Sequence, residues 1–202
     1  MFITFEGLDF CGKSTQVNLI KKYFEDFGKE VELIREPGGV QISEKIRNIL
    51  LDNKNSEMFS ETELLLFSAS RAQLVREKII PFLKSGKVVI SDRFLDSSIA
   101  YQGFGRGLNK EFVIELQKFA IGEAVPDITF FIDIPIAEVM RRKKNILETE
   151  LDRIEVSESE FYENVKKGYE YLSKIEERII TIDGTKSIND IHNEIISIIS
   201  KH

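Results

Sequence analysis

The sequence contains very little cysteine and histidine. Cys11 is the only cysteine among 202 residues, which excludes an internal disulfide and any metal site built from several cysteines. The two histidines, His192 and His202, lie in a late polar segment and at the last position, where we expect solvated side chains. A histidine general base is therefore not expected.

The sequence also lacks an excess of positive charge and any long apolar run. Its formal net charge of -6 argues against nonspecific nucleic-acid binding, which needs a basic surface. No apolar stretch is long enough to cross a bilayer, and the first residues enter a predicted strand without the pattern of a signal peptide. We therefore expect a cytoplasmic protein that binds neither nucleic acid nor a membrane.

The remaining composition is typical of a globular protein. Hydrophobic residues make up 42% of the chain and charged residues 31%. A chain of 202 residues is long enough to bury a sizeable core. We predict one domain over residues 1–202.

A phosphate-binding loop is the most specific motif. The pattern GxxxxGK[ST] fits Gly7-Leu8-Asp9-Phe10-Cys11-Gly12-Lys13-Ser14 at every fixed position, between a predicted strand at 2–5 and a predicted helix from Thr15. Backbone N–H groups and the helix dipole favour a phosphate at this position. Lys13 can reach the terminal phosphates of a nucleoside triphosphate, and the Ser14 hydroxyl can hold Mg²⁺.

Strand and helix patterns alternate along the rest of the chain. Strands are predicted at 30–35, 87–91, 127–133 and 178–182, and helices at about 41–51, 64–80 and 110–121, from near 136, and at 188–199. Gly103, Gly105 and Gly107 predict a flexible turn, and the basic run at 141–144 is the candidate for a mobile lid, within about 141–155. Because several strands are apolar throughout, we predict an α/β protein with three layers, α/β/α, around a five-stranded parallel sheet.

Charged residues follow the predicted strands at the edge where ligands of such sheets bind. Asp92 and Arg93 end the third strand, so Arg93 can bridge donor and acceptor phosphates while Asp92 orients the Mg²⁺ shell or its waters. A plain ion pair at a strand end is the alternative. Phosphates repel the carboxylate of Asp9, so we expect it to contact a metal-bound water or a hydroxyl of a second substrate. The alternative is a solvated loop carboxylate without a role.

Phe67 and Arg71 lie four residues apart, on one face of a predicted helix. An aromatic ring beside a guanidinium suits a flat heterocyclic ligand. The ring can stack on the heterocycle, and the guanidinium can donate a hydrogen bond to one of its carbonyl groups. By spacing alone, Phe67 is more typical of a core and Arg71 of a surface.

Six ordered motifs, which span about three quarters of the chain, resemble those of thymidylate kinase. They are Glu6-Gly7-Leu8-Asp9 with Gly12-Lys13-Ser14-Thr15-Gln16, Arg35-Glu36-Pro37-Gly38-Gly39, Leu66-Phe67-Ser68-Ala69-Ser70-Arg71, Asp92-Arg93-Phe94, Ala100-Tyr101-Gln102-Gly103 and Leu151-Asp152-Arg153-Ile154-Glu155. The resemblance implies transfer of a phosphoryl group from ATP to dTMP with Mg²⁺, in an enzyme that is typically a homodimer.

For the donor, the resemblance implies a site built from the phosphate-binding loop and the lid. Arg141 or Arg142 would lie against adenine, and Arg153 would stabilise the transferring phosphoryl group as a built-in arginine finger. The implied ATP-binding residues of the loop are Gly7, Leu8, Asp9, Phe10, Cys11, Gly12, Lys13, Ser14 and Thr15.

For the acceptor, the resemblance implies a site built from the other motifs. Asp9 would contact the sugar hydroxyl and the Mg²⁺ region, Arg35 would lie near the monophosphate, and Arg93 would hold the phosphates. Phe67 would stack on thymine and Arg71 would bond a base carbonyl. The remaining implied contacts are Tyr101 beside the sugar 2′ position, and Ser98 and Gln102 facing the base.

Two positions depart from the family pattern. Phe10 occupies a loop position that is basic in the eukaryotic-like subgroup, so the chain fits the bacterial subgroup, in which lid residues such as Arg153 supply the cation. Ser98 stands where the family often has asparagine or threonine, which implies a looser base selectivity. The rival functions are another small phosphate-loop kinase for a nucleotide or nucleoside, and a nucleotide switch without an acceptor.

Overall fold

A computed structural model of the chain, which describes residues 1–147, 149 and 151–201, has a parallel sheet at its centre. Five strands follow the order β2-β3-β1-β4-β5: β1 (Phe2–Glu6), β2 (Val31–Arg35), β3 (Val88–Asp92), β4 (Ile128–Asp133) and β5 (Ile179–Asp183). Every neighbouring pair is parallel. The predicted fold class is confirmed. Glu148 and Glu150 of the predicted lid, and His202, lie outside the described residues.

The helices connect these strands. They are α1 (Lys13–Asp26), α2 (Gln41–Leu51), α3 (Ser60–Leu74), α4 (Ile80–Lys84), α5 (Leu95–Ser98), α6 (Lys110–Ile121), α7 (Ile136–Lys143), α8 (Ser159–Ile175) and α9 (Ile188–Ile199). Two π-helical segments, Val75–Ile79 and Ile99–Gly105, join α3 to α4 and continue α5. A short 3₁₀ turn, Asn53–Asn55, follows α2.

The two faces of the sheet carry separate apolar clusters, because side chains alternate along each strand. Phe2 and Val89 are partners in the β1–β3 register and pack in one cluster. Ile3 and Ile90, the next pair, pack in the other. All five residues of β1 are buried. Burial on both faces fixes the strand positions, and so fixes the carboxyl edge from which the site is built.

Two segments differ from the sequence-based expectation. The flexible turn expected at Gly103 and Gly105 is part of the π-helical segment, which packs along α8 and closes with a hydrogen bond from Arg106 N–H to the carbonyl of Tyr101 at 2.8 Å. Helix α8 was not predicted, although Tyr162, Val165, Tyr169 and Leu172 form its buried stripe at helical spacing. In the part of the chain that the structure describes, no helix combines the length and the apolar character needed to cross a bilayer.

Candidate active site

The phosphate-binding loop connects β1 to α1 and closes tightly. A Cβ on Gly7 would lie 2.6 Å from the carbonyl oxygen of Ile132, so a larger residue does not fit. Gly12 has a φ of +99°, in the left-handed region that favours glycine, and it precedes the first turn of α1. That turn has no acidic residue, and its N–H groups lack intrahelical acceptors, as at any helix start. The loop is therefore suited to a phosphate.

Lys13 and Ser14 begin α1 and connect it to the rest of the site. Lys13 Nζ donates to the carbonyls of Gly7 at 3.1 Å and Leu8 at 2.7 Å. Ser14 Oγ donates to Asp92 Oδ2 at 2.5 Å, which joins the loop to the end of β3. The structure thus places the two predicted metal-site residues together.

Arg93 and Asp9 form an ion pair at the centre of the site. Arg93 Nη2 lies 2.5 Å from Asp9 Oδ1, and Tyr101 Oη donates to Asp9 Oδ2 at 3.0 Å. Burial alone would raise the pKa of Asp9, but the charges of Arg93 and Lys13 outweigh it and hold this pKa below its usual value. Asp9 is therefore an anion at neutral pH.

A buried carboxyl group behind this pair fixes the backbone around Arg93. Glu6 Oε1 accepts from the N–H of Phe94 at 2.7 Å, and Oε2 accepts from Ser97 Oγ at 2.5 Å and Tyr169 Oη at 3.0 Å. Arg93 Nη1 in turn donates to both of those hydroxyl oxygens, and Arg93 itself has a φ of +69°. Burial, and then the charge of Asp96, raise the pKa of Glu6 to about 7.

One cleft of about 530 Å³ brings most of the predicted residues together. The predicted site residues that line it are Asp9, Phe10, Cys11, Gly12, Lys13, Ser14, Thr15, Arg35, Phe67, Arg71, Asp92, Arg93, Ser98, Tyr101 and Gln102. Those that do not line it are Gly7, Leu8, Arg141, Arg142 and Arg153. The loop end and the Phe67 end therefore belong to one continuous space.

At the Phe67 end, Arg71 is fully buried and bonded at all three nitrogens. Nε donates to Glu36 Oε2 at 2.7 Å, and Nη2 donates to the carbonyl of Phe94 at 2.9 Å. Nη1 donates to Ser98 Oγ at 2.8 Å and to Gln117 Oε1. The expected bond from Arg71 to a base carbonyl stays a prediction. It requires Arg71 to break one of these hydrogen bonds.

Gln102 reaches the same end of the cleft from the π-helical segment. Its Nε2 donates at 2.9 Å to Oε1 of Glu63, a buried carboxylate on α3. Glu63 also accepts from Arg106 Nε at 3.1 Å and from Arg153 Nη2 at 2.6 Å. This buried network joins α3, the π-helical segment and the segment that follows the lid helix.

The lid arginines lie in different environments. Arg141 is exposed and pairs with Glu138, whereas Arg142 also donates to the carbonyl of Phe10 in the phosphate loop at 2.8 Å. Hydrogen bonds from both arginines lower the pKa of Glu138 to about 2. Arg142 is therefore the lid arginine nearer to the loop.

Arg153 does not line the cleft. Its side chain is buried, and Nε donates to the carbonyl of Leu50 at 2.8 Å in addition to the contact with Glu63. Its neighbours Asp152, Ile154 and Glu155 line the cleft instead. The arginine-finger role stays a prediction, and it requires the Arg153 side chain to leave Glu63.

Sequence reasoning missed several residues of the site. Tyr169 comes from the unpredicted helix α8, and the roles of Glu6 and Glu63 as buried acceptors depend on contacts 91 and 90 residues apart in the chain. Arg47 also lines the cleft. Only the helical spacing of α8 carried a signal that sequence analysis could have found.

Comparison with known proteins identifies the family. The sequence profile described as thymidylate kinase matches residues 5–195. A thymidylate kinase of Thermosipho africanus is 52% identical over 202 residues, which cover 100% of this chain and 98% of that protein. One from Kosmotoga olearia is 50% identical over 197 residues, which cover 97% of this chain and 93% of that protein.

A solved structure agrees with this assignment. The crystal structure of thymidylate kinase from Ehrlichia chaffeensis matches with a TM-score of 0.80 and 36% identity, over 99% of this chain and 98% of that chain. The match covers the sheet, the phosphate loop and the surrounding helices alike. The chain therefore belongs to the thymidylate kinase family.

Proposed function

We propose that the cleft holds ATP at the loop end and dTMP at the Phe67 end, with phosphoryl transfer beside Arg93. The activity itself follows from the family: the chain phosphorylates dTMP, with ATP as the donor. The observation that carries the proposed arrangement is the Asp9–Arg93 pair, because it lies in a single cleft with both the phosphate loop and Phe67. The domain and lid boundaries, 1–202 and about 141–155, remain our proposal.

At the loop end, the backbone from Gly7 to Thr15 would surround the ATP phosphates. Lys13 Nζ would exchange its loop carbonyls for phosphate oxygens, which carry more negative charge. Arg142 is the better candidate for the adenine contact, since it already touches the loop. Arg93 would balance the charge of both substrates where their phosphates meet.

The residues around Ser14 fit a magnesium ion. Mg²⁺ is bound by hard oxygen ligands, usually one or two carboxylates with water and substrate phosphates. Ser14 and Asp92 supply a hydroxyl and a carboxylate 2.5 Å apart, and Asp9 adds a second carboxylate in the same cleft. Ser14 and Asp92 would hold the ion, which when bound would offset phosphate charge.

At the other end, Phe67 would stack on thymine, with Arg71, Ser98 and Gln102 at the edge of the base. Tyr101 is held against Asp9 and Arg93, where it would limit the space for a 2′-hydroxyl. Arg35 lines the cleft and pairs with Glu44 at 3.2 Å, from which it would turn to the monophosphate. No side chain has to form a covalent intermediate, because alignment and charge carry the reaction.

The assembly and location are also proposals. We propose a homodimer, which is supported by apolar side chains that α3 and α6 expose: Leu65 is 55%, Phe112 58% and Phe119 75% exposed. Sedimentation of a Phe119→Glu variant would test this face. A cytoplasmic location, without nucleic-acid or membrane partners, stays a prediction.

A coupled ADP-release assay over a panel of nucleoside monophosphates tests the proposed function. We expect dTMP to be the preferred acceptor and turnover to require Mg²⁺. Lys13→Ala, purified in parallel, controls for contaminating kinases. Preference for another nucleotide would favour the rival kinase function, and ATP binding without ADP release for any acceptor would favour the nucleotide switch.

A further inference from the structure

We call the Phe67 end of the cleft the base end, because the proposed function places the base there. The carboxylate of Glu63 contacts Gln102 at this end but does not itself line the cleft. Glu63 is 1% exposed and stands four residues before Phe67 on α3. Its oxygens accept from Gln102 Nε2 at 2.9 Å, from Arg106 at 3.1 and 3.2 Å, and from Arg153 at 2.6 Å. Two cations and one amide therefore converge on one buried anion.

The charge of Glu63 determines which way the Gln102 amide points. Burial alone would raise the pKa of Glu63, but the contacts with Arg106, Gln102 and Arg153 outweigh it and lower this pKa. Glu63 is therefore ionised at neutral pH, and a carboxylate can only accept hydrogen bonds. Gln102 has to present its NH₂ group to Glu63.

The other atom of that amide, Oε1, is left as an acceptor. Gln102 lines the cleft, and among the described residues no donor is bonded to its Oε1. Ser98 lies four residues earlier on the same helical run. Because Ser98 Oγ already accepts from Arg71 Nη1, its hydroxyl hydrogen is available to a ligand.

An acceptor beside a donor matches one kind of pyrimidine edge. Thymine offers a ring N–H next to a carbonyl oxygen, which can bond Gln102 Oε1 and the Ser98 hydroxyl. Cytosine offers a ring nitrogen acceptor next to an amino group, so its ring nitrogen would face the Gln102 oxygen without a hydrogen between them. A buried mismatch of this kind is costly.

We propose that Glu63 is a positioning residue that makes the enzyme select an imide base, by holding the Gln102 amide with its oxygen toward the base. The inference rests on the proposed function, in which the base lies beside Phe67. Its distinctive consequence concerns Glu63→Gln. Oε2 of Glu63 accepts from Arg106 Nη2 and Arg153 Nη2, so the carbonyl oxygen of the new amide would take that position. Its NH₂ group would then replace Oε1, face Gln102 and turn that amide around, while Arg106 Nε would lose its acceptor.

The test is the ratio of kcat/KM for dTMP to kcat/KM for dCMP. We expect Glu63→Gln to lower this ratio about 10- to 100-fold, through a loss with dTMP and a gain with dCMP. Gln102→Met should also lower the ratio, and adding Glu63→Gln to it should change the ratio no further. Arg106→Gln, which leaves the Glu63–Gln102 contact in place, should keep the wild-type ratio.

A loss of packing alone would reduce turnover with both nucleotides and leave the ratio unchanged, which would overturn the inference. So would a full effect of Glu63→Gln in the Gln102→Met background. If Glu63→Gln does not fold, the double variant Glu63→Gln/Arg106→Gln removes one charge of each sign and is read against Arg106→Gln. Failure of the wild type to phosphorylate dTMP would instead contradict the proposed function.

Discussion

The two ends of the cleft are built in different ways. The loop end, which we call the phosphate end because we propose that the ATP phosphates bind there, is lined by consecutive residues, 9–15. It offers mainly backbone N–H groups at the start of α1. The base end comes from α3, α5 and the π-helical segment. It offers side chains that buried carboxylates hold in place: Glu36 accepts from Arg71, and Glu63 accepts from Gln102. A backbone site depends on one local conformation, whereas a side-chain site depends on long-range packing.

We expect this difference to separate the effects of substitutions on the two substrates. Changes at the phosphate end should affect the chemistry with any acceptor, because every acceptor uses the same donor. Changes at the base end should affect dTMP more than ATP. The variants below test this separation, in order of expected effect.

The largest effect is expected for Lys13→Ala. Lys13 is the only side-chain cation within the motif, so its loss should lower kcat about 10³-fold or more. The measurement is steady-state ADP release, with Lys22→Ala as the control, since Lys22 is 72% exposed on the same helix and pairs with Asp26. Full activity of Lys13→Ala would falsify the phosphate-loop assignment.

Arg153→Ala should follow, with a fall in kcat of about 10²-fold and little change in substrate binding. The expected loss is of transition-state stabilisation, after Arg153 has left Glu63. Arg106→Ala is the matched control, because it removes another cation from Glu63 without changing Arg153. If kcat is unchanged while thermal stability falls, Arg153 serves only to neutralise Glu63.

Phe67→Ala should raise the KM for dTMP about tenfold and leave the KM for ATP nearly unchanged, because stacking contributes only at the base end. Thr62→Ala, at an exposed position of the same helix outside the proposed dimer face, controls for helix stability. Equal changes in both KM values would remove Phe67 from the base site and break the separation between the two ends.

The last effect concerns the pH dependence of stability and not turnover or binding. Glu6 has a pKa of about 7 in the fold and an ordinary value of 4.5. Between these values the unfolded chain ionises while the folded one keeps its proton, so the free energy of unfolding should fall by roughly 3 kcal/mol as pH rises from 5 to 8. Glu6→Gln should flatten this slope in denaturant titrations; parallel slopes would show that Glu6 is ionised throughout.

The same contrast explains how much of the molecule could be predicted. The phosphate loop and the central strands depend on local sequence, so their positions followed from patterns within single segments. Helix α2 was predicted at 41–51, its observed bounds. The prediction of a flexible turn at Gly103 and Gly105 was wrong, because packing against α8 outweighed the local preference of glycine.

The base end could not be predicted from spacing. Phe67 and Arg71 on one helix face suit a core as well as a site, and only the resemblance to a family favoured the site. Buried contacts such as Arg71 with Glu36 join segments 35 residues apart, so no local pattern announces them. The observed contact between Arg153 and Glu63 likewise could not be predicted from sequence motifs, because the two residues lie 90 positions apart in the chain.

The most direct test of the head-to-head arrangement is a crystal structure with dTMP and a non-hydrolysable ATP analogue bound together. We predict that the dTMP phosphate lies within hydrogen-bond distance of Arg93, that the thymine ring stacks on Phe67, and that the analogue's terminal phosphate contacts Lys13. A dTMP phosphate bound away from Asp9 and Arg93 would contradict this account.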